Sequence, residues 1–207
     1  MNDPQELFDH GPVIPVVVLD EVGHGVPLAR ALLRGGIRVV EVTLRTPAAL
    51  GALERIAAEV PDAVVGAGTV TSPDLAQDAA KAGAAFLVTP GTTESLLDAA
   101  EQTGLPFLPG VATVSEAMRL AERGVTALKF FPAEAAGGVP FLRSLAGPLP
   151  GLRFCPTGGI TPAKAGAYLA LPNVGCVGGS WLTPQDALAA GDWSRIEALA
   201  REATSLR

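Results

Sequence analysis

Ala127-Leu128-Lys129-Phe130-Phe131-Pro132 sets one lysine among five apolar residues. A short run that is apolar on both sides of its one charge reads as a strand with two covered faces, the kind found in parallel sheets. A lysine ammonium in such a place is costly unless it is paired or gives up its proton. The other two lysines, Lys81 in a helical segment and Lys164 just after Thr161-Pro162, fall where solvated side chains are expected. Lys129 is the exception. A desolvated lysine readily serves as a neutral amine nucleophile. The alternatives are a strand-end lysine whose head reaches water, or one held in a structural ion pair.

Similar apolar runs recur at 13–19, 39–44, 63–68, 85–89, 107–111, 153–156 and 174–178, which makes eight strands with the lysine run. Ala/Leu/Arg-rich helical segments separate them, at 26–34, 48–59, 75–81, 95–102 and 115–123. Thr71-Ser72-Pro73-Asp74, Thr92-Thr93-Glu94 and Thr161-Pro162 carry helix-start chemistry. Gly35-Gly36, Gly83, Gly104 and Gly124 fall where helices should stop. A helix is expected ahead of the first strand, at 4–10, and a closing helix at 192–207. Eight apolar strands alternating with helices predict an α/β fold, a single-domain (β/α)8 TIM barrel over 1–207 with a leading N-terminal helix.

The 207 residues suffice for one well-packed core, and 48% hydrophobic against 17% charged residues excludes a disordered chain. A formal net charge of -6 argues against nucleic acid or an anionic membrane as a partner. No apolar run approaches the roughly 20 residues of a membrane span. Residues 1–6 carry neither part of a secretion signal, so a cytoplasmic location is expected. Cys155 and Cys176 form no CxxC pattern and read as buried free thiols. With His10 and His24 the only histidines, no metal-ligand spacing is present and no cofactor is implied.

In a barrel, alternate strand residues point inward and chemistry sits at the C-terminal strand ends. Glu41, Thr43 and Arg45 would then share a face, as would Lys129 and Phe131. A core ion pair of Glu41 with Arg45 or Lys129 is the structural alternative to a catalytic role. Thr157-Gly158-Gly159 ends the seventh strand and Gly178-Gly179-Ser180 the eighth. Those two loops commonly hold phosphate in this fold through backbone N–H groups. Gly66-Ala67-Gly68-Thr69 lacks the third glycine and the acidic follow-up of a dinucleotide loop. Amine, carboxylate, guanidinium and phosphate cradle together suit an iminium-forming enzyme acting on a phosphorylated 2-oxo acid.

Five motifs also carry a family resemblance: Glu41-Val42-Thr43-Leu44-Arg45-Thr46, Gly66-Ala67-Gly68-Thr69-Val70, Lys129-Phe130-Phe131-Pro132-Ala133-Glu134, Arg153-Phe154-Cys155-Pro156-Thr157-Gly158-Gly159-Ile160 and Gly178-Gly179-Ser180-Trp181-Leu182. From about Leu7 onward the chain resembles the 2-keto-3-deoxy-6-phosphogluconate (KDPG) aldolase family. The resemblance implies a class I (β/α)8 aldolase, usually a homotrimer. Its reaction yields pyruvate and glyceraldehyde 3-phosphate in the Entner–Doudoroff pathway, and 4-hydroxy-2-oxoglutarate cleavage and oxaloacetate decarboxylation are related activities. It implies Lys129 as the Schiff-base lysine and Glu41 as the general acid/base. Arg45 and Thr69 would hold the pyruvyl carboxylate, with Pro90 and Phe131 lining the pocket and Thr157 orienting the substrate. Gly158, Gly159, Gly179 and Ser180 would bind the phosphate.

Departures are small: Thr92 stands where many members have a bulkier apolar residue, and Ala136-Gly137-Gly138 replaces a common Asn-Gly-Gly. Galactonate-series relatives tend to carry a first-strand arginine, where this chain has Val18, and an apolar residue at Thr157. That favours the gluconate substrate. A phosphosugar isomerase or epimerase barrel would share the phosphate loops without needing Lys129, and a binding module would keep the fold without the chemistry.

Overall fold

Period-two burial sorts the strand residues into two cores. Val40 and Val42 pack outward with Leu28, Leu32, Leu53 and Ile56 of the helices, while Val39 turns inward to Ile14, Phe86, Val88 and Leu108. In this computed structural model, residues 4–206 are described. The strands are β1 (Val13–Val17), β2 (Val39–Thr43), β3 (Val64–Gly68), β4 (Leu87–Val88), β5 (Phe107–Leu108), β6 (Gly110–Val111), β7 (Ala127–Phe130), β8 (Arg153–Pro156) and β9 (Val177–Gly179). The α-helices are α1 (Gly25–Arg34), α2 (Ala49–Glu59), α3 (Pro73–Lys81), α4 (Glu94–Thr103), α5 (Val114–Glu122), α6 (Gly138–Leu145), α7 (Pro162–Leu169), α8 (Gln185–Ala190) and α9 (Trp193–Thr204).

All strand pairs are parallel, in the orders β5-β4-β3-β2-β1-β9 and β6-β7-β8, and the sheet curls around the inner core. The fifth apolar run, expected as one strand, is split at Pro109 into β5 and β6. Phe107 and Leu108 pair with β4, and Gly110 and Val111 with β7. Proline has no N–H for the ladder. The Thr89 hydroxyl accepts the Gly110 N–H at 3.0 Å, and the Pro109 carbonyl accepts the Lys129 N–H at 2.8 Å. Across the other gap, parallel bridges join Phe154 to Val174 and Thr157 to Gly178.

The helix starts read from sequence are built as expected at three sites. Ser72 caps α3, Thr93 caps α4, and Pro162 opens α7. Thr113 and Glu116 complete a capping box on α5. The leading segment Pro4–His10 is a 3-10 helix rather than an α-helix. Its Leu7 and Phe8 are fully buried under the N-terminal strand ends, where Arg153 lies over the Phe8 ring. No helix of the described residues is long and apolar enough to cross a membrane.

Candidate active site

Lys129 and Glu41 sit on opposite strands, β7 and β2, with side chains aimed at each other across the inner space. Each residue is 3% exposed, and Nζ donates to Oε1 over 3.1 Å. Neither charge could stay in this dry place alone, and each offsets the desolvation of the other. Arg45 is not the partner of Glu41. The room for this pair comes from β3. A Cβ at Gly68 would stand 2.2 Å from Glu41 Oε1, and one at Gly66 would meet the Phe86 ring at 2.4 Å. The Lys129 ammonium lies 5.6 Å from the Phe131 ring centre. Thr43, inward on the same strand as Glu41, spends its hydroxyl on the Val17 carbonyl at 2.7 Å.

Arg45 departs from the face-sharing expected of it, because β2 ends at Thr43 and Arg45 lies in the turn beyond. Its side chain is exposed, and Nε donates to Thr69 Oγ1 over 2.9 Å. Thr69 has φ +56°, a left-handed conformation that costs a β-branched residue ~1–3 kcal/mol. The two residues thus meet just past the C-terminal ends of β2 and β3. Pro90, just past β4, is half-buried, its carbonyl so close to Gly110 that a Cβ there would lie 2.4 Å away.

The two glycine turns are brought together by the Thr157–Gly178 bridge. Thr157 is buried, and a Cβ on Gly178 would fall 2.1 Å from its hydroxyl. Gly158 and Gly159 have φ of +105° and +76°, which side chains rarely adopt. Gly179 is buried against Trp181, and Ser180 is exposed.

Sequence reasoning missed one polar cluster beside these turns. The Glu134 carboxylate accepts from the Tyr168 hydroxyl and the Lys164 ammonium. Lys164, expected to be solvated, is half-exposed and ion-paired. The Lys164 contact, followed by that of Tyr168, holds the Glu134 carboxyl below the usual carboxylate range. Burial, reinforced by the carboxylate, pushes the Tyr168 phenol up. The available signal was the spacing of Lys164 and Tyr168, four apart and so on one helix face.

An amine kept from water can condense with a ketone, and the neighbouring carboxylate can pass protons around the adduct. That chemistry suits one class in particular, the lysine-dependent carbon–carbon lyases. A family model described as KDPG and KHG aldolase matches residues 5–199, and the chain belongs to that family. A 2-dehydro-3-deoxy-phosphogluconate aldolase of Pseudoalteromonas atlantica is 54% identical over 97% of this chain and 94% of its own length. A KHG/KDPG aldolase of Escherichia coli is 54% identical over 96% of this chain and 93% of its own. A crystal structure of KDPG aldolase from Legionella pneumophila, with pyruvate captured as a covalent carbinolamine intermediate, superimposes with a TM-score of 0.96. It is 48% identical and covers 98% of both chains. Family membership sets aside the isomerase or epimerase reading and the binding-module reading.

Proposed function

We propose that this chain is a class I aldolase that cleaves 2-keto-3-deoxy-6-phosphogluconate to pyruvate and glyceraldehyde 3-phosphate, with Lys129 as its nucleophile. The observation that carries the assignment is the 3.1 Å contact of two buried groups, Lys129 Nζ and Glu41 Oε1. Proton transfer within that pair turns ammonium and carboxylate into amine and carboxylic acid with no change of net charge. The amine then adds to the C2 ketone to give a carbinolamine. Glu41 delivers a proton to the departing hydroxyl, and water leaves an iminium. Glu41, again a carboxylate, takes the proton of the C4 hydroxyl. The C3–C4 bond breaks, its electron pair moves to the iminium nitrogen as an enamine, and glyceraldehyde 3-phosphate departs. Protonation at C3 and addition of water release pyruvate and restore the amine.

In the same reading Arg45 and Thr69 hold the substrate carboxylate, with Pro90 and Phe131 walling the pocket. Thr157 orients the chain of the sugar acid, and Gly158, Gly159, Gly179 and Ser180 take the phosphate. Val18 and Thr157 favour the gluconate over the galactonate epimer. The two halves of the sheet act as one closed (β/α)8 barrel in a single domain, supported by the Thr89–Gly110 and Thr157–Gly178 links. The expected setting is a cytoplasmic homotrimer, which sedimentation of the purified protein would test.

Pyruvate release from 2-keto-3-deoxy-6-phosphogluconate, followed in a coupled assay, should fall about 10²-fold or more in Glu41→Gln. Full activity in that variant contradicts the proton-shuttle role.

A further inference from the structure

Glu134 lies in the turn after β7, packed against the Gly158–Gly159 turn that follows β8. Its own N–H donates to the Gly158 carbonyl over 3.1 Å, and the preceding Ala133 N–H to the Thr157 carbonyl over 2.8 Å. Its side chain lies directly against Gly159, where a Cβ would stand 2.9 Å from both Glu134 Cβ and Cγ. On the other side of the turn, Gly158 faces the Phe131 ring, 3.3 Å from a Cβ built there. The left-handed Gly158–Gly159 pair is therefore clasped between the aromatic wall of the pocket and the stem of a glutamate.

A carboxylate so near a proposed phosphate cradle needs its charge compensated, since two anions at this range repel. Glu134 is compensated by two donors of its own. The Lys164 ammonium and the phenol of Tyr168, itself 1% exposed, both donate to it. Both donors sit one turn apart on α7, the helix that follows the Gly158–Gly159 turn. The cluster thus ties the turn after β7, the turn after β8 and α7 into one unit.

We propose that Glu134, anchored by Tyr168 and Lys164, is a positioning residue for substrate phosphate, holding the Gly158–Gly159 backbone with its N–H groups turned toward the anion. This rests on the aldolase reading and on the phosphate assignment of those glycines. The role concerns one end of the substrate only. Pyruvate carries no phosphate, so its condensation with Lys129 should not depend on Glu134.

The test pairs two readouts in the full-length enzyme, steady-state kinetics with 2-keto-3-deoxy-6-phosphogluconate and borohydride trapping of pyruvate on Lys129. Glu134→Ala should raise KM about tenfold, the scale of a lost charge-assisted hydrogen bond, and change kcat less than about twofold. Inhibition by inorganic phosphate should weaken in parallel. Tyr168→Phe, which keeps the ring, should shift KM the same way by a smaller factor, and Glu134→Gln should restore most of the loss. Pyruvate trapping should match the unsubstituted enzyme throughout. An unchanged KM in both Glu134→Ala and Tyr168→Phe, or trapping that falls together with cleavage, would overturn the positioning role. Failure of the unsubstituted enzyme to trap pyruvate would instead overturn the aldolase reading beneath it.

Discussion

Lys129 shows how much one residue can disclose. A single charge inside an apolar strand-like run was visible in the sequence, and the structure buries it as that pattern requires. Its partner was legible only as a choice, because a face shared by Glu41 and Arg45 offers two ion pairs. The choice falls to Lys129 because β2 stops at Thr43, so that the period-two rule no longer governs Arg45. The small residues that make room for the pair were not legible, since a glycine in a strand looks the same whether or not a neighbour needs its space. Gly68 is the case in point, with a Cβ there 2.2 Å from Glu41 Oε1. With Glu41 as the proposed proton shuttle, Gly68→Ala should displace that carboxylate and lower kcat about 10²-fold, the scale on which an ångström of misplacement acts. Circular dichroism and turnover measured together check this; a folded, fully active variant would show that the contact is unimportant.

The elements divide by how local their causes are. Helices α3, α4, α5 and α7 start where side-chain caps or a proline announce them, and those signals are read from four adjacent residues. Helices α6 and α8 have no side-chain cap, although Thr183-Pro184 precedes α8 much as Thr161-Pro162 precedes α7. The N-cap of α6 is Gly137 in the left-handed region, and α8 has only six residues. The break at Pro109 could be suspected from the residue alone, but the Thr89 hydroxyl that takes up the Gly110 N–H comes from just past β4, 21 residues away. Between elements, Tyr168 of α7 offers a pH test against Glu134 and Lys164, the charged groups that face it. Its pKa is raised in the folded protein, so its contribution to stability is complete below the unfolded value, about 10, and is lost as pH rises through the folded one. The gap in urea midpoint between the native protein and Tyr168→Phe should accordingly narrow above about pH 10. A gap that widens there would reverse the sign of the argument.

For the whole molecule, the repeated strand–helix pattern was the most legible feature, because apolar runs with covered faces leave few architectures other than a parallel sheet under helices. The inner core was harder to foresee. It is completed by Leu7 and Phe8 from the leading 3-10 helix, which close the end opposite the lysine. Phe8 is fully buried and fits over Gly175, where a Cβ would lie 2.3 Å from its ring. Phe8→Ala should therefore cost about 3–5 kcal/mol of unfolding free energy by denaturant titration. KM should stay unchanged, and a shift in KM without a stability loss would contradict the separation of the two ends.

The account rests on the amine held at the other end, and one experiment addresses it directly. Pyruvate and borohydride are added to the protein and the peptides are mapped by mass. The account predicts a 1-carboxyethyl group on Lys129, with Lys81 and Lys164 unmodified. Modification elsewhere, or none at all, would contradict it.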